Sequence, residues 1–85
     1  MKIVYSPKFA KAYKDLPSGI QDTAELRELI FRFNPFDARL KTHKLSGKLQ
    51  DFWAFSINHQ YRIIFEFAAS DTVYFLFVGS HDIYK

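Results

Sequence analysis

Arg62 is the one cation inside an apolar run, Tyr61-Arg62-Ile63-Ile64-Phe65-Glu66-Phe67. A guanidinium in mid-strand loses hydration unless it reaches water or an anion. Its planar fork of donors suits a phosphate. Two histidine-bearing segments flank the run in the chain, Lys41-Thr42-His43-Lys44 and Gly79-Ser80-His81-Asp82-Ile83-Tyr84. Imidazoles exchange protons near neutral pH. If the fold brings the three groups together, they suit binding a phosphodiester and cleaving it without a metal.

Each residue also has a plainer reading. Arg62 shares a strand face with Ile64 and Glu66, so it could pair with Glu66 or Asp51 instead of a ligand. His43 reads equally as a solvated loop residue, His81 as a surface histidine near the chain's end, and His59 as a turn residue. Tyr84 could pack its ring on the sheet edge or stack on a base. Trp53 reads as a core or core-to-groove residue, with a base platform as the second reading. Lys41, Lys44 and Lys48 crowd around His43, while Asp22, Glu25 and Glu28 lie in the second helix. That asymmetry favours a polyanion near the middle of the chain, or else an ordinary charged loop.

The elements that must position these groups follow from local signals. Lys2 to Tyr5 is β-prone. Ser6-Pro7 reads as an N-cap with proline at the first helical position. Phe9, Ala12, Tyr13 and Leu16 form one apolar stripe, ended by Leu16-Pro17-Ser18-Gly19. A second stripe of Leu26, Leu29, Ile30 and Phe33 is stopped by Asn34-Pro35. From Asp37 to Gln50 the chain is polar and loop-like, with Gly47 as a turn. Trp53, Phe55 and Ile57 then alternate with small or polar residues, as in a half-buried strand. Asn58-His59-Gln60 is a hairpin turn. Tyr61 to Phe67 is the next strand, Ser70-Asp71 a turn, and Thr72 to Val78 the last strand, ended by Gly79. The expected fold is a single α+β two-layer domain over residues 1–85, order βααβββ, an antiparallel sheet against the N-terminal helix pair.

Composition narrows the class. A chain of 85 residues buries only about 60 % of its unfolded surface, and ten Phe, five Tyr and one Trp supply a dense core. Without cysteine, disulfides and thiolate metal sites are excluded. The three histidines lack metal-ligand spacing, so no metal or cofactor is expected. No apolar run approaches the roughly 18–20 residues of a membrane span, and no secretory leader pattern opens the chain. A cytoplasmic protein is expected. The net charge of +3 permits contact with nucleic acid without requiring it.

The stretch His43-Lys44-Leu45-Ser46-Gly47-Lys48-Leu49, then Phe52-Trp53, Tyr61-Arg62-Ile63-Ile64-Phe65 and the terminal Gly79-Ser80-His81-Asp82-Ile83-Tyr84, resembles the RelE/ParE superfamily of type II toxin–antitoxin toxins. The resemblance covers essentially the whole chain and is nearest the YafQ and YoeB branches. It implies a toxin that enters the ribosomal A site and cuts messenger RNA, neutralised by a cognate antitoxin. It assigns His43 and His81 as the exchangeable base and acid, Arg62 to the scissile phosphate, and Tyr84 to the C-terminal aromatic of the site. Lys41, Lys44, Lys48 and Trp53 are then candidate substrate-binding residues. The chain departs from the pattern in places. A late-strand arginine of several toxins is replaced within Phe75-Leu76-Phe77-Val78. Gln60 stands where the YafQ branch has an acid, and Ser56 where that branch has a histidine and YoeB an arginine. Two other outcomes fit the same resemblance: a non-catalytic gyrase-inhibiting toxin of ParE type, and an inactive relative that only binds an antitoxin.

Overall fold

The computed structural model describes residues 1–80. Strand β1 (Lys2–Tyr5) leads into helices α1 (Pro7–Lys14) and α2 (Ser18–Phe33). A two-residue strand β2 (His43–Lys44) then precedes β3 (Trp53–Ser56), β4 (Tyr61–Phe67) and β5 (Thr72–Ser80). The five strands form one sheet in the order β1-β5-β4-β3-β2. The α+β arrangement expected from the sequence is present, with two additions. β1 runs parallel to β5, so the sheet is mixed, and β2 extends its far edge. β5 also continues through Gly79 to Ser80, where the sequence placed its end at Gly79. No described helix is long and apolar enough to cross a membrane.

Local chemistry accounts for the helix ends. The Ser6 hydroxyl accepts from the Phe9 N–H at 2.9 Å and donates to the Leu76 carbonyl at 2.8 Å. One side chain therefore caps α1 and fastens it to β5, and such a cap stabilises by about 1 kcal/mol. Pro17 breaks the chain between the helices. The Gln21 amide then donates to the carbonyls of Tyr13 at 2.9 Å and Leu16 at 3.2 Å. Carbonyls left over at the end of α1 are satisfied by the first turn of α2.

The main core lies between the helices and the sheet. Phe31 is its centre, fully buried, with ring centroids 4.8 Å from Phe55, 5.0 Å from Phe65 and 5.5 Å from Phe75. The stripe expected to face this core is mostly outside it. Leu26 and Leu29 are more than half exposed and Phe33 is 94 % exposed; of the four, only Ile30 packs on the core. The inward side of α2 is Ile20, Ala24, Arg27 and Phe31. Arg27 interrupts that stripe in the sequence, yet its stem lies inside and its Nε donates to the Ile57 carbonyl at 3.2 Å. Both stripes have helical spacing, and periodicity alone could not choose between them.

The polar segment after α2 is more ordered than a loop. It holds 3-10 turns at Ala38–Leu40 and Gly47–Leu49, with β2 between them. Leu40 is buried in the main core, whereas Leu45 is buried on the opposite face of the sheet with Ala54 and Ile64. The segment is thus a strap passing around the sheet edge, pinned by one leucine on each side. Gly47 lies at φ +67°, a left-handed backbone that glycine adopts without strain.

Candidate functional site

Strand alternation gives the sheet two unlike faces. Phe55, Ile63, Phe65, Phe75 and Val78 point to the helices. The other face is crossed by rows of directly opposed residues. One row is His43, Ala54, Ile64 and Phe77; the next is Ser56, Arg62 and Gly79. His43 and Arg62 therefore share the face turned away from the helices, which the strap covers with Leu45 over Ala54 and Ile64 and leaves open elsewhere. His43 and Arg62 stand two strands and two residues apart, which places their Cα atoms about 12 Å from each other. That separation is within the combined reach of an extended arginine and a histidine. Arg62 is half-buried, and its cross-strand neighbours among the described residues are Ser56 and Gly79.

The strap fixes the imidazole. His43 Nδ1 lies 3.0 Å from the Lys41 carbonyl oxygen. A carbonyl only accepts, so Nδ1 carries the proton and Nε2 of the neutral ring keeps its lone pair for another partner. Lys41 adopts a left-handed backbone at φ 53°, closing the 3-10 turn before β2. That turn begins at Asp37, whose carboxylate accepts from the Arg39 backbone N–H at 2.9 Å and pairs with its guanidinium at 2.9 Å. The Arg39 side chain first, and its backbone N–H second, lower the Asp37 carboxyl to about 2. Because the folded value is depressed, the stabilisation is present above the ordinary value of 3.8 and is lost as pH falls through about 2. We predict that the Asp37 carboxyl carbon titrates near that low value by NMR. In Arg39→Ala the midpoint rises toward the ordinary range; an unchanged midpoint would show that Arg39 is not the cause.

The remaining candidates separate. Lys44 is opposite Trp53, which by alternation belongs to the helix-facing side. Trp53 itself packs edge-on against Phe36 at 5.6 Å and Phe67 at 5.5 Å between ring centroids. Its indole is a half-buried core-border residue on the face away from Arg62, in line with the core-to-groove reading. Lys41 and Lys48 are exposed on the strap, and His59 is exposed in the β3–β4 turn. Asn58 builds that turn as expected, its side-chain oxygen accepting from the Gln60 and Tyr61 N–H groups at 2.8 Å each. His81 and Tyr84 lie outside the described residues.

Two features of the open face had no signal in the motifs. Phe65 is opposite Phe75 and Ile64 opposite Phe77, so Leu76 is an extra residue in β5 and forms a bulge. Leu76, Phe77 and Ile64 floor a shallow depression of about 610 Å³, walled by Leu49, Phe52, Ser6 and Lys8. The Lys8 ammonium stands 5.1 Å from the centre of the Phe77 ring.

No protein-family model matches the chain, and no curated protein matches it in sequence. Solved structures do match. A YoeB/ParE toxin from Agrobacterium tumefaciens is similar with a TM-score of 0.80 at 16 % identity, over 95 % of this chain and 99 % of that one. An archaeal RelE–RelB complex from Pyrococcus horikoshii OT3 gives 0.75 at 17 % identity, over 96 % of each chain. The E. coli DinJ–YafQ toxin–antitoxin complex gives 0.72 at 21 % identity, over 94 % of this chain and 91 % of that one.

Proposed function

We infer, for a chain that has the RelE/ParE toxin fold, that it is the toxin of a type II toxin–antitoxin pair and cleaves messenger RNA in the ribosomal A site. The observation that carries the reading is His43 and Arg62 sharing one open sheet face, with the imidazole Nε2 left available by the Nδ1 contact to Lys41.

In this mechanism His43 Nε2 takes the proton of a ribose 2′-hydroxyl. The freed oxygen attacks the adjacent phosphorus, a bond to the 5′-oxygen breaks, and a 2′,3′-cyclic phosphate forms. Arg62 binds the non-bridging oxygens, where charge gathers in the transition state. His81 returns a proton to the departing 5′-oxygen, and the role left for Tyr84 is stacking on a base. The chemistry needs no metal, because proton transfer and charge stabilisation come from side chains.

The partner is a cognate antitoxin, in keeping with the similar chains that are complexes of toxin and antitoxin. Leu26, Leu29 and Phe33 give such a partner an exposed apolar ridge on α2. Beside it an apolar groove runs between the helices, lined by Tyr5, Phe9, Tyr13 and Leu29 with Glu25 and Glu28 at its rim.

The test is primer extension on a transcript after brief induction of the chain. Discrete cuts are expected with wild type, and their loss with His81→Ala while the protein remains folded. Intact transcripts together with a DNA-damage response would favour the gyrase-directed reading. Intact transcripts without growth arrest would leave only an antitoxin-binding module.

A further inference from the structure

Lys8 comes from the far end of the chain, yet it borders the same face as Arg62 and His43. β1 stops pairing with β5 at Tyr5, opposite Phe75, so the edge of β5 beyond that point is uncovered by a strand. Ser6 and Lys8 turn over this edge, and the bulge at Leu76 brings both Leu76 and Phe77 to the open side beneath them. The Phe77 ring holds the Lys8 ammonium through a cation–π contact, a weak restraint at an exposed position. The face thus carries a cation at its β5 edge, Arg62 on β4 and an imidazole at its β2 edge. Between Lys8 and the Ile64 row lies the apolar depression with Leu49 and Phe52 as its wall.

We propose that Lys8 and this depression form a nucleotide subsite. The base lies on the floor of Leu76 and Ile64 against Phe52, and the ammonium meets the phosphate next to the linkage held by Arg62. An apolar slot for a base beside a cation is the combination that retains single-stranded RNA. The subsite supplies, from α1, a cation that the last strand lacks at Phe75-Leu76-Phe77-Val78. It rests on the reading of the open face as an RNA site.

The experiment measures binding of a short fluorescent 2′-O-methyl oligoribonucleotide, which lacks the attacking hydroxyl, across a salt series. Lys8→Met is expected to weaken binding about fivefold, the scale of one exposed charge contact. The log–log salt slope should fall by about 0.7, the share of one phosphate on a single strand. Lys8→Arg should restore both, and Lys11→Met, an exposed lysine one turn along α1, should change neither. Equal affinity and slope in Lys8→Met, or an equal loss in Lys11→Met, overturns the proposal. An abasic oligomer of the same length that binds as tightly as the normal one removes the base slot. The parent reading fails separately, by intact transcripts with wild type; a Lys8-dependent complex would then still stand as a binding site.

Discussion

Replacing Phe31 by alanine is expected to lower the thermal midpoint by more than about 12 °C, while Phe33→Ala, two residues on, leaves stability within about 0.5 kcal/mol. The two residues are chemically identical and lie in one helix, so propensity cancels in the comparison. What differs is burial: Phe31 is sealed among Phe55, Phe65 and Phe75, and Phe33 is 94 % exposed. Emptying a site of that size costs about 3–5 kcal/mol, because transfer energy and ring contacts are lost together and the walls cannot fully collapse. A small domain has only about 5–15 kcal/mol to lose. Phe31→Leu keeps most of the volume but loses the ring contacts, so it should cost less than Phe31→Ala and more than Phe33→Ala. Thermal and urea melts of the three variants check the order. A larger loss in Phe33→Ala than in Phe31→Ala would mean that α2 presents its other stripe to the sheet.

Arg62→Ala is expected to reduce transcript cleavage by about 100- to 1000-fold, the usual cost of removing one preorganised donor from a charged transition state. Arg62→Lys keeps the charge and loses the fork, so it should recover only part of that rate. Because Arg62 is half-buried, its stem also packs on the sheet. Arg62→Met therefore serves as the variant that keeps the stem and loses the charge. Rates measured with purified ribosomes and a defined messenger, alongside circular dichroism of each variant, separate chemistry from folding. A folded Arg62→Met that cuts at the wild-type rate would remove the guanidinium from the mechanism.

Much of the architecture was legible because its signals are local. Ser6-Pro7, Leu16 to Gly19 and Asn34-Pro35 bound the helices by cap and breaker chemistry, and Asn58 marks its own turn. Alternation in Trp53-Ala54-Phe55 and in Tyr61 to Phe67 decided which side chains share a face, and so paired Arg62 with the open side. Alternation left Trp53 between core and groove, and its ring contacts with Phe36 and Phe67 place it on the helix side. What could not be read depends on distant partners. Arg27 hid the inward stripe of α2 because a charged head conceals a buried stem. Leu40 and Leu45 looked incidental in a polar stretch, since nothing local says that they enter opposite faces. The bulge at Leu76 and the arrival of Lys8 beside it exist only once β5 has met both β4 and the start of α1.

The parallel pairing of β1 with β5 has a consequence for how the molecule comes together. Lys2 sits opposite Thr72, so this pairing closes nearly the entire chain, at an entropic cost of about 4 kcal/mol. The β3–β4–β5 meander closes only short turns and should nucleate first. Docking of the N-terminal strand is then a late event and its release an early one. Amide exchange at Ile3 to Tyr5 is accordingly expected to outpace that at Ile63 to Phe65. While β1 is away, the longest strand of the sheet shows a bare hydrogen-bonding border, the kind of template on which chains join one another. Docking of the four β1 residues covers only Thr72 to Phe75 and makes that strand the new edge, so it shortens the exposed border of β5 without abolishing the sheet's edge.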